Sequence, residues 1–347
     1  MSNPALSEKR NQQILADVVR TYIETGDPVS SRSISKRYVE ALSPATIRNV
    51  MADLEEEGYL YQPHTSAGRV PTAEAYRFFA QHVAAQASLS PEDEEMIRRE
   101  LGAATTPEDM TERAGHLLAA ISRGLGIIVA PPMSRAVVEH LRFLLLPDGR
   151  VVVVLISSGG AARDKILRPE RRFTQEELDR TAEYVNRQYS GWTLENIRAD
   201  LLAKAASDRE QYDRLASNAL LLCDPGLFGD APNRQVYMEG AAQFAAAPEF
   251  SDHGELRDLL EAIEEKHTLI ALLTVCIETP EPVHVQVGLK EMSPAGEKLS
   301  LISAPYGLHD QAQGSLGVLG PMRMHYERAI TAVALVARVF GDTMSKG

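Results

Sequence analysis

The chain has 347 residues, 44% of them hydrophobic, with a formal net charge of -12. That length exceeds one compact module and points to two or three domains. No apolar run approaches the ~20 residues that a membrane-spanning helix needs, and Met1 to Arg10 lacks an apolar signal core, so a cytoplasmic protein is expected.

Ser7 to Thr25 reads as a helix, because Ile14, Leu15, Val18, Val19, Tyr22 and Ile23 recur on one stripe, and Gly26-Asp27-Pro28 stops it. Ser30 or Ser31 caps a short second helix reaching about Tyr38. Ser43-Pro44 opens a third, since serine accepts from a free backbone N–H and proline suits the first helical position; Gly58 ends it. Tyr59 to Gln62 and Arg69 to Pro71 flank the polar tip His64-Thr65-Ser66-Ala67-Gly68 and read as a hairpin. Thr72 is expected to cap a fourth helix ending near Ala87.

This order of helix, turn, helix, capped helix and hairpin is that of a winged helix-turn-helix, in which the third helix enters a DNA major groove. Ile47, Met51 and Leu54 face its core, while Thr46, Arg48, Asn49, Ala52 and Asp53 point away. Arginine matches the two guanine acceptors and asparagine the adenine donor–acceptor pair. Thr46 and backbone N–H groups at the helix start suit a phosphate, and Arg69 stands where it can reach a phosphate or the minor groove. Charge is unevenly spread: residues 1–80 hold 9 Lys/Arg and 10 Asp/Glu, yet within them Val29 to Val50 holds Arg32, Lys36, Arg37 and Arg48 against Glu40 alone. A local basic surface suffices for phosphate contact. The acidic run Glu55-Glu56-Glu57 counts against contact at the end of the third helix. The expected DNA-binding set is Ser31, Arg32, Lys36, Arg37, Ser43, Thr46, Arg48, Asn49, His64, Ser66 and Arg69.

Ser88 to Pro107 is polar and reads as a linker with one short helix. A helix over Glu108 to Arg123 follows, then strands at Gly126 to Ala130, Val137 to Leu146 and Arg150 to Ile156, the last two joined by the turn Pro147-Asp148-Gly149. Phe173 to Leu222 is mostly helical, Gln235 to Met238 a short strand, and Leu256 to Lys266 helical. Strand signals return at Val283 to Leu289, Leu299 to Ala304 and Ser315 to Leu319, before a final helix over Met322 to Phe340. Strands at both ends with helices between imply one α/β domain carrying an insertion.

Other constellations carry little. Cys223 and Cys276 lie far apart with no histidine at ligand spacing, so two reduced, buried thiols are expected, with no cofactor and no metal. His284, His309 and His325 are scattered. Ser157-Ser158-Gly159-Gly160 lacks the lysine–hydroxyl pair of a phosphate loop. Ser303 and His309 lack a nucleophile elbow, so no enzyme is expected. Trp192 is read as buried in its own domain, with a dimer contact as the alternative.

Gly26-Asp27-Pro28-Val29-Ser30-Ser31-Arg32 with Ser35-Lys36-Arg37-Tyr38, and Ser43-Pro44-Ala45-Thr46-Ile47-Arg48-Asn49 with Met51-Ala52-Asp53-Leu54-Glu55, resemble the heat-inducible transcription repressor HrcA family. So do His64 to Thr72 with Tyr76-Arg77, Val236-Tyr237-Met238-Glu239-Gly240, and Gly314 to Pro321 with Arg323-Met324 and Tyr326. The resemblance implies an α+β multidomain fold: an N-terminal winged helix-turn-helix, then a GAF-like α/β domain interrupted by an inserted, mainly helical dimerisation domain. The expected boundaries are 1–88 for the winged helix, 89–106 for the linker, 107–158 and 267–344 for the GAF-like domain, and 159–266 for the insertion. It further implies a repressor of chaperone operons, acting as a homodimer on an inverted-repeat operator of double-stranded DNA. In that family a chaperonin of the GroE type maintains activity, and heat relieves repression. Val50, at an expected exposed edge where the family tends to be acidic, and Gly288 to Gly296 depart from its pattern. The alternative is a metabolite-responsive winged-helix regulator with a ligand-binding C-terminal domain. A fragment ending near Ala87 is expected to fold alone, and the region past residue 105 to open first on heating.

Overall fold

The computed structural model describes residues 9–36, 42–64, 67–84, 89–131, 137–157, 162–207, 214–223, 236–250, 253–279, 281–308 and 312–344. Helix α1 (Lys9–Thr25) buries the stripe Ile14, Leu15, Val18 and Val19. The Ser30 side chain accepts from Ser33 N–H and starts α2 (Ser31–Ser35), and the Ser43 side chain accepts from Thr46 N–H at the start of α3 (Pro44–Glu56). Gly58, at φ +81°, takes the left-handed turn after α3 that a side chain would disfavour. Strands β1 (Leu60–Tyr61) and β2 (Val70–Pro71) pair antiparallel, and α4 (Ala73–Ala84) follows. Thr72 does not cap α4 with its hydroxyl; that group donates to the carbonyls of Gly58 and Tyr59 and ties the hairpin to the end of α3.

Residues 89–106 are not a free linker. Ser90 caps α5 (Pro91–Gly102), and Ile97 and Leu101 are fully buried in the main core. The composition is polar because one face of this helix meets water; the two apolar positions four apart bury the other. Helix α6 (Pro107–Ser122) leads into a five-stranded antiparallel sheet of β3 (Leu125–Val129), β7 (Val236–Glu239), β8 (His284–Val287), β9 (Leu299–Leu308) and β10 (Ala312–Pro321), in the order β7-β3-β10-β9-β8. Alternate residues serve opposite faces, as the strand period requires. Ile128, Ile302, Ala304, Leu316 and Val318 join the core that contains α6 and the C-terminal helix, here α13 (Tyr326–Met344). Leu125, Ile127, Val129, Leu301 and Leu319 pack instead on α10 (Ala241–Ala245), α11 (His253–Glu264) and α12 (Lys266–Glu278).

The inserted unit has its own sheet, β4 (Val138–Leu145), β5 (Val151–Ser157) and β6 (Ala162–Leu167), antiparallel in that order. Behind it lie α7 (Gln175–Tyr189), α8 (Leu194–Ser207) and α9 (Arg214–Leu222). Leu141, Phe143, Val153 and Leu155 meet Leu178, Val185 and Ile197 in a separate core. The boundaries read from sequence therefore shift. β4 and β5, assigned above to the GAF-like segment 107–158, belong to the insertion, while β7, α10 and α11, assigned to 159–266, belong to the five-stranded sheet. Val129 pairs with Val236, so the insertion occupies the loop of a β3–β7 hairpin. Helices supply most of its regular structure, as expected, and the three-stranded sheet is the addition. Among the described residues, no helix is long and apolar enough to cross a membrane.

Candidate nucleic-acid interface

The third helix presents two faces of opposite character. Ile47 and Leu54 are fully buried and Met51 nearly so, while Arg48, Asn49 and Asp53 are exposed. Thr46 and Ala52 are half-buried at the margins. Val50, expected at an exposed edge, is 5% exposed and belongs to the core face. It precedes Met51 by one position and Leu54 by four, so it lies beside the apolar stripe, where an apolar residue is the stable choice.

Ser43 serves the helix itself. Its Oγ accepts from Thr46 N–H at 3.1 Å and lies 3.0 Å from Thr46 Oγ1, while Ile47 N–H donates to the Ser43 carbonyl at 3.1 Å. Two first-turn donors are thus already bonded inside the protein, and Pro44 has none, so the helix start offers less to a phosphate than its capping sequence suggests. Ser31 is half-buried at the first position of α2, and Arg32 and Lys36 are exposed on that helix, which packs on α3. Among the described residues, Arg32, Lys36 and Arg48 enter no ion pair, so these cations remain available to an anionic partner. His64 is exposed on the hairpin, and its carbonyl accepts from Ala67 N–H at 2.8 Å. Arg37 and Ser66 lie outside the described residues, as does His309.

Arg69 departs from expectation. Its side chain is 18% exposed, and Nη2 lies 2.7 Å from Glu55 Oε2. The guanidinium is drawn to α3 instead of reaching outward. The pattern of residues gave no signal of this pairing, because the two groups meet only once the hairpin folds back on the helix. Also illegible were the ties to the far end of the chain. Arg20 Nη2 lies 2.7 Å from Glu327 Oε1, Arg323 Nε donates to the Ile23 carbonyl at 3.2 Å, and Arg77 Nε donates to the Val287 carbonyl at 3.2 Å.

Among the described residues, no other grouping resolves into chemistry. Cys223 and Cys276 are buried and unbridged, and burial pushes their thiols up to about 12 and about 11, away from reactive thiolates. Among the described residues, no cluster of three His, Cys, Asp or Glu side chains is placed to hold a metal ion. Trp192 is 43% exposed, with its ring edge-on to Tyr189 at 5.7 Å, so it is not enclosed in its own domain as expected.

Comparison with known proteins places this arrangement. Residues 108–330 match the family model described as the HrcA protein C-terminal domain. The heat-inducible transcription repressor HrcA of Geobacter sulfurreducens is 36% identical over 338 residues, covering 95% of this chain and 96% of that protein. The protein of the same description from Syntrophobacter fumaroxidans is 34% identical over 97% of each chain. A crystal structure described as that of a hypothetical protein is 21% identical, covers 98% of this chain and 99% of its own, and superposes with a TM-score of 0.61, which marks a shared fold.

Proposed function

The chain belongs to the family of heat-inducible transcription repressors HrcA, and we propose that its first 84 residues bind operator DNA as a winged helix-turn-helix. The observation that carries this is α3: a capped helix with one face buried and Arg48 and Asn49 exposed on the other, beside Arg32 and Lys36 on α2. Arg48 and Asn49 read base edges, and Arg32 and Lys36 hold phosphates. The test is to select duplexes from random sequence with the wild-type protein, then titrate Arg48→Ala and Asn49→Ala. Each substitution is expected to cost about 1–3 kcal/mol on the selected duplex and little on a scrambled one. Equal losses on both duplexes would show that neither residue reads sequence.

An inverted-repeat operator calls for two copies, because one helix-turn-helix covers one half-site. The inserted unit suits that task. The sheet face turned away from its helices carries the row Leu144, Val152 and Ile166, with Leu144 and Ile166 each 48% exposed. The next row, Arg142, Val154 and Asp164, places opposite charges at its two ends, which a two-fold contact would match to their opposites. Pairing at the β4 edge is blocked: Asn186 bonds Leu141 N–H and carbonyl at 2.8 and 3.0 Å, and Gln175 bonds Leu145 N–H and the Phe143 carbonyl at 2.9 and 3.0 Å. The exposed apolar row favours homodimers that form face to face. Leu144→Asp is expected to yield monomers on sedimentation; unchanged dimers would move the interface elsewhere.

Heat that separates the copies uncovers this apolar face, and a GroE-type chaperonin, which holds apolar surface of partly opened chains, then returns the protein to the active dimer. The GAF-like sheet acts as scaffold, since apolar side chains fill both its faces. Heating, cooling and assaying duplex binding with and without chaperonin and ATP tests this. Full recovery without chaperonin at every temperature would remove the chaperonin from the account.

A further inference from the structure

We propose that Glu55 and Arg69 form a positioning pair that sets where the hairpin meets the duplex, and that Arg69 does not itself contact phosphate; this rests on the DNA-binding reading above. Three elements converge on Arg69. Its N–H donates to the Val29 carbonyl at 2.8 Å, and Val29 N–H donates back to its carbonyl at 2.8 Å, which ties the hairpin to the turn between α1 and α2. Val29 is buried, and a Cβ on the preceding residue, Gly68, would stand 2.4 Å from the Val29 carbonyl oxygen, so only glycine permits this approach. The Arg69 side chain then reaches Glu55 on α3 at 2.7 Å. At the other side of the hairpin, Gln62 Nε2 donates to the Ala67 carbonyl at 2.9 Å and braces the loop.

Placement makes the pair an adjuster. Glu55 lies near the C-terminal end of α3, about 10 Å along the axis from Arg48 at the ordinary helical rise. A change there moves the hairpin without touching the base-facing residues. With the two side chains 18% and 32% exposed, the loss of either leaves a poorly solvated charge on the other, and the hairpin shifts to hydrate it. The acidic run at the end of α3 thus contains a structural anchor, not only a repulsive patch.

The two roles for Arg69 predict opposite signs for one substitution. If Arg69 contacted phosphate and Glu55 merely competed for it, Glu55→Gln would free the guanidinium, remove a negative charge near DNA and tighten binding. If the pair positions the hairpin, Glu55→Gln weakens binding as Arg69→Ala does. The experiment uses the full chain and a duplex selected by the wild type, with affinity measured across a salt series. Expected are roughly tenfold losses for both variants, a log–log salt slope unchanged from wild type, and recovery of most affinity in the exchange Glu55→Arg with Arg69→Glu. Hydroxyl-radical protection at one flank of each half-site should fade while guanine N7 protection in the major groove persists, a split that general destabilisation does not produce. A slope flattened by about one unit per subunit in Arg69→Ala, or wild-type or tighter binding by Glu55→Gln, overturns the proposal. A wild-type chain that enriches no duplex overturns the DNA-binding reading and this inference with it.

Discussion

The N-terminal unit and the inserted unit are bodies of similar length held in opposite ways. The first has no core of its own: Ile14, Leu54 and Phe79 belong to the same buried cluster as Tyr326, Val333 and Phe340 at the far end of the chain. The rings of Tyr76 and Phe79 lie 6.1 and 6.2 Å from that of Tyr326, whose hydroxyl is 2.7 Å from Ser300 Oγ on the five-stranded sheet. Arg20 with Glu327 clasps the margin of the N-terminal unit, and Arg328 with Asp93 clasps the adjoining α5. The inserted unit closes a core on itself and hangs from a hairpin loop. Core continuity decides which parts unfold together. This narrows the order of melting expected from sequence: the N-terminal unit should melt with the sheet domain, so the insertion, and not the whole region past residue 105, is the part free to open first.

The largest test removes the insertion. Because Val129 and Val236 are paired neighbours, residues 132–235 can be replaced by a short glycine–serine turn. The shortened chain should stay folded, sediment as a monomer and bind a selected duplex about 100-fold more weakly, since the second half-site is no longer tethered. A chain that unfolds would mean the two bodies are not separable. Phe79→Ala comes next. It should cost about 3–5 kcal/mol and lower the melting of the DNA-binding unit and sheet domain as one calorimetric transition, whereas Leu178→Ala should move only the transition of the insertion. If Phe79→Ala left the sheet domain's melting unchanged, the shared core would not be cooperative. By the same reasoning, a fragment ending near Ala87 exposes Tyr76 and Phe79 and should be far less stable than the same residues in the full chain, a comparison that urea titration makes directly.

The smallest effect belongs to the clasps. Arg328 donates to Asp93 through Nε and Nη2, both at 2.8 Å, and this bond holds the Asp93 carboxyl below the usual carboxylate range. A carboxyl lowered in the folded state contributes stability that is present above its unfolded pKa and lost as pH falls through the folded one. Half-exposed Arg328 limits that contribution to under about 1 kcal/mol. Wild type should therefore exceed Asp93→Asn slightly in urea titrations near pH 6, with the gap closing below about pH 3. A gap that widened in acid would contradict the pairing.

The local elements of the first 84 residues were legible, because each rests on chemistry carried by a few neighbours. Serine before proline caps α3, glycine follows it in the left-handed turn, and the spacing of Ile47, Met51 and Leu54 marks the buried face. The strands near the ends of the C-terminal half were legible for the same reason. Errors fell where neighbours cannot inform. Val50 was misplaced because the edge of an apolar stripe is set by what packs on it. The segment 89–106 was mistaken for a linker because a helix with two buried side chains, Ile97 and Leu101, looks polar in composition.

The sequence by itself determined most of the local elements, among them the order of helices and hairpin at the front, and that a domain is interrupted, but not β6 or α12. Tertiary structure alone decided which sheet each strand joins, since β3 and β5 are both apolar runs of strand length and differ only in partner. It alone turned Arg69 toward Glu55 and brought Arg20 to Glu327, 307 positions away. The reason is range. Capping, turn conformation and hydrophobic period act within a few residues and are written in them, whereas strand pairing, charge pairing and core continuity are chosen by the whole chain when it closes on itself.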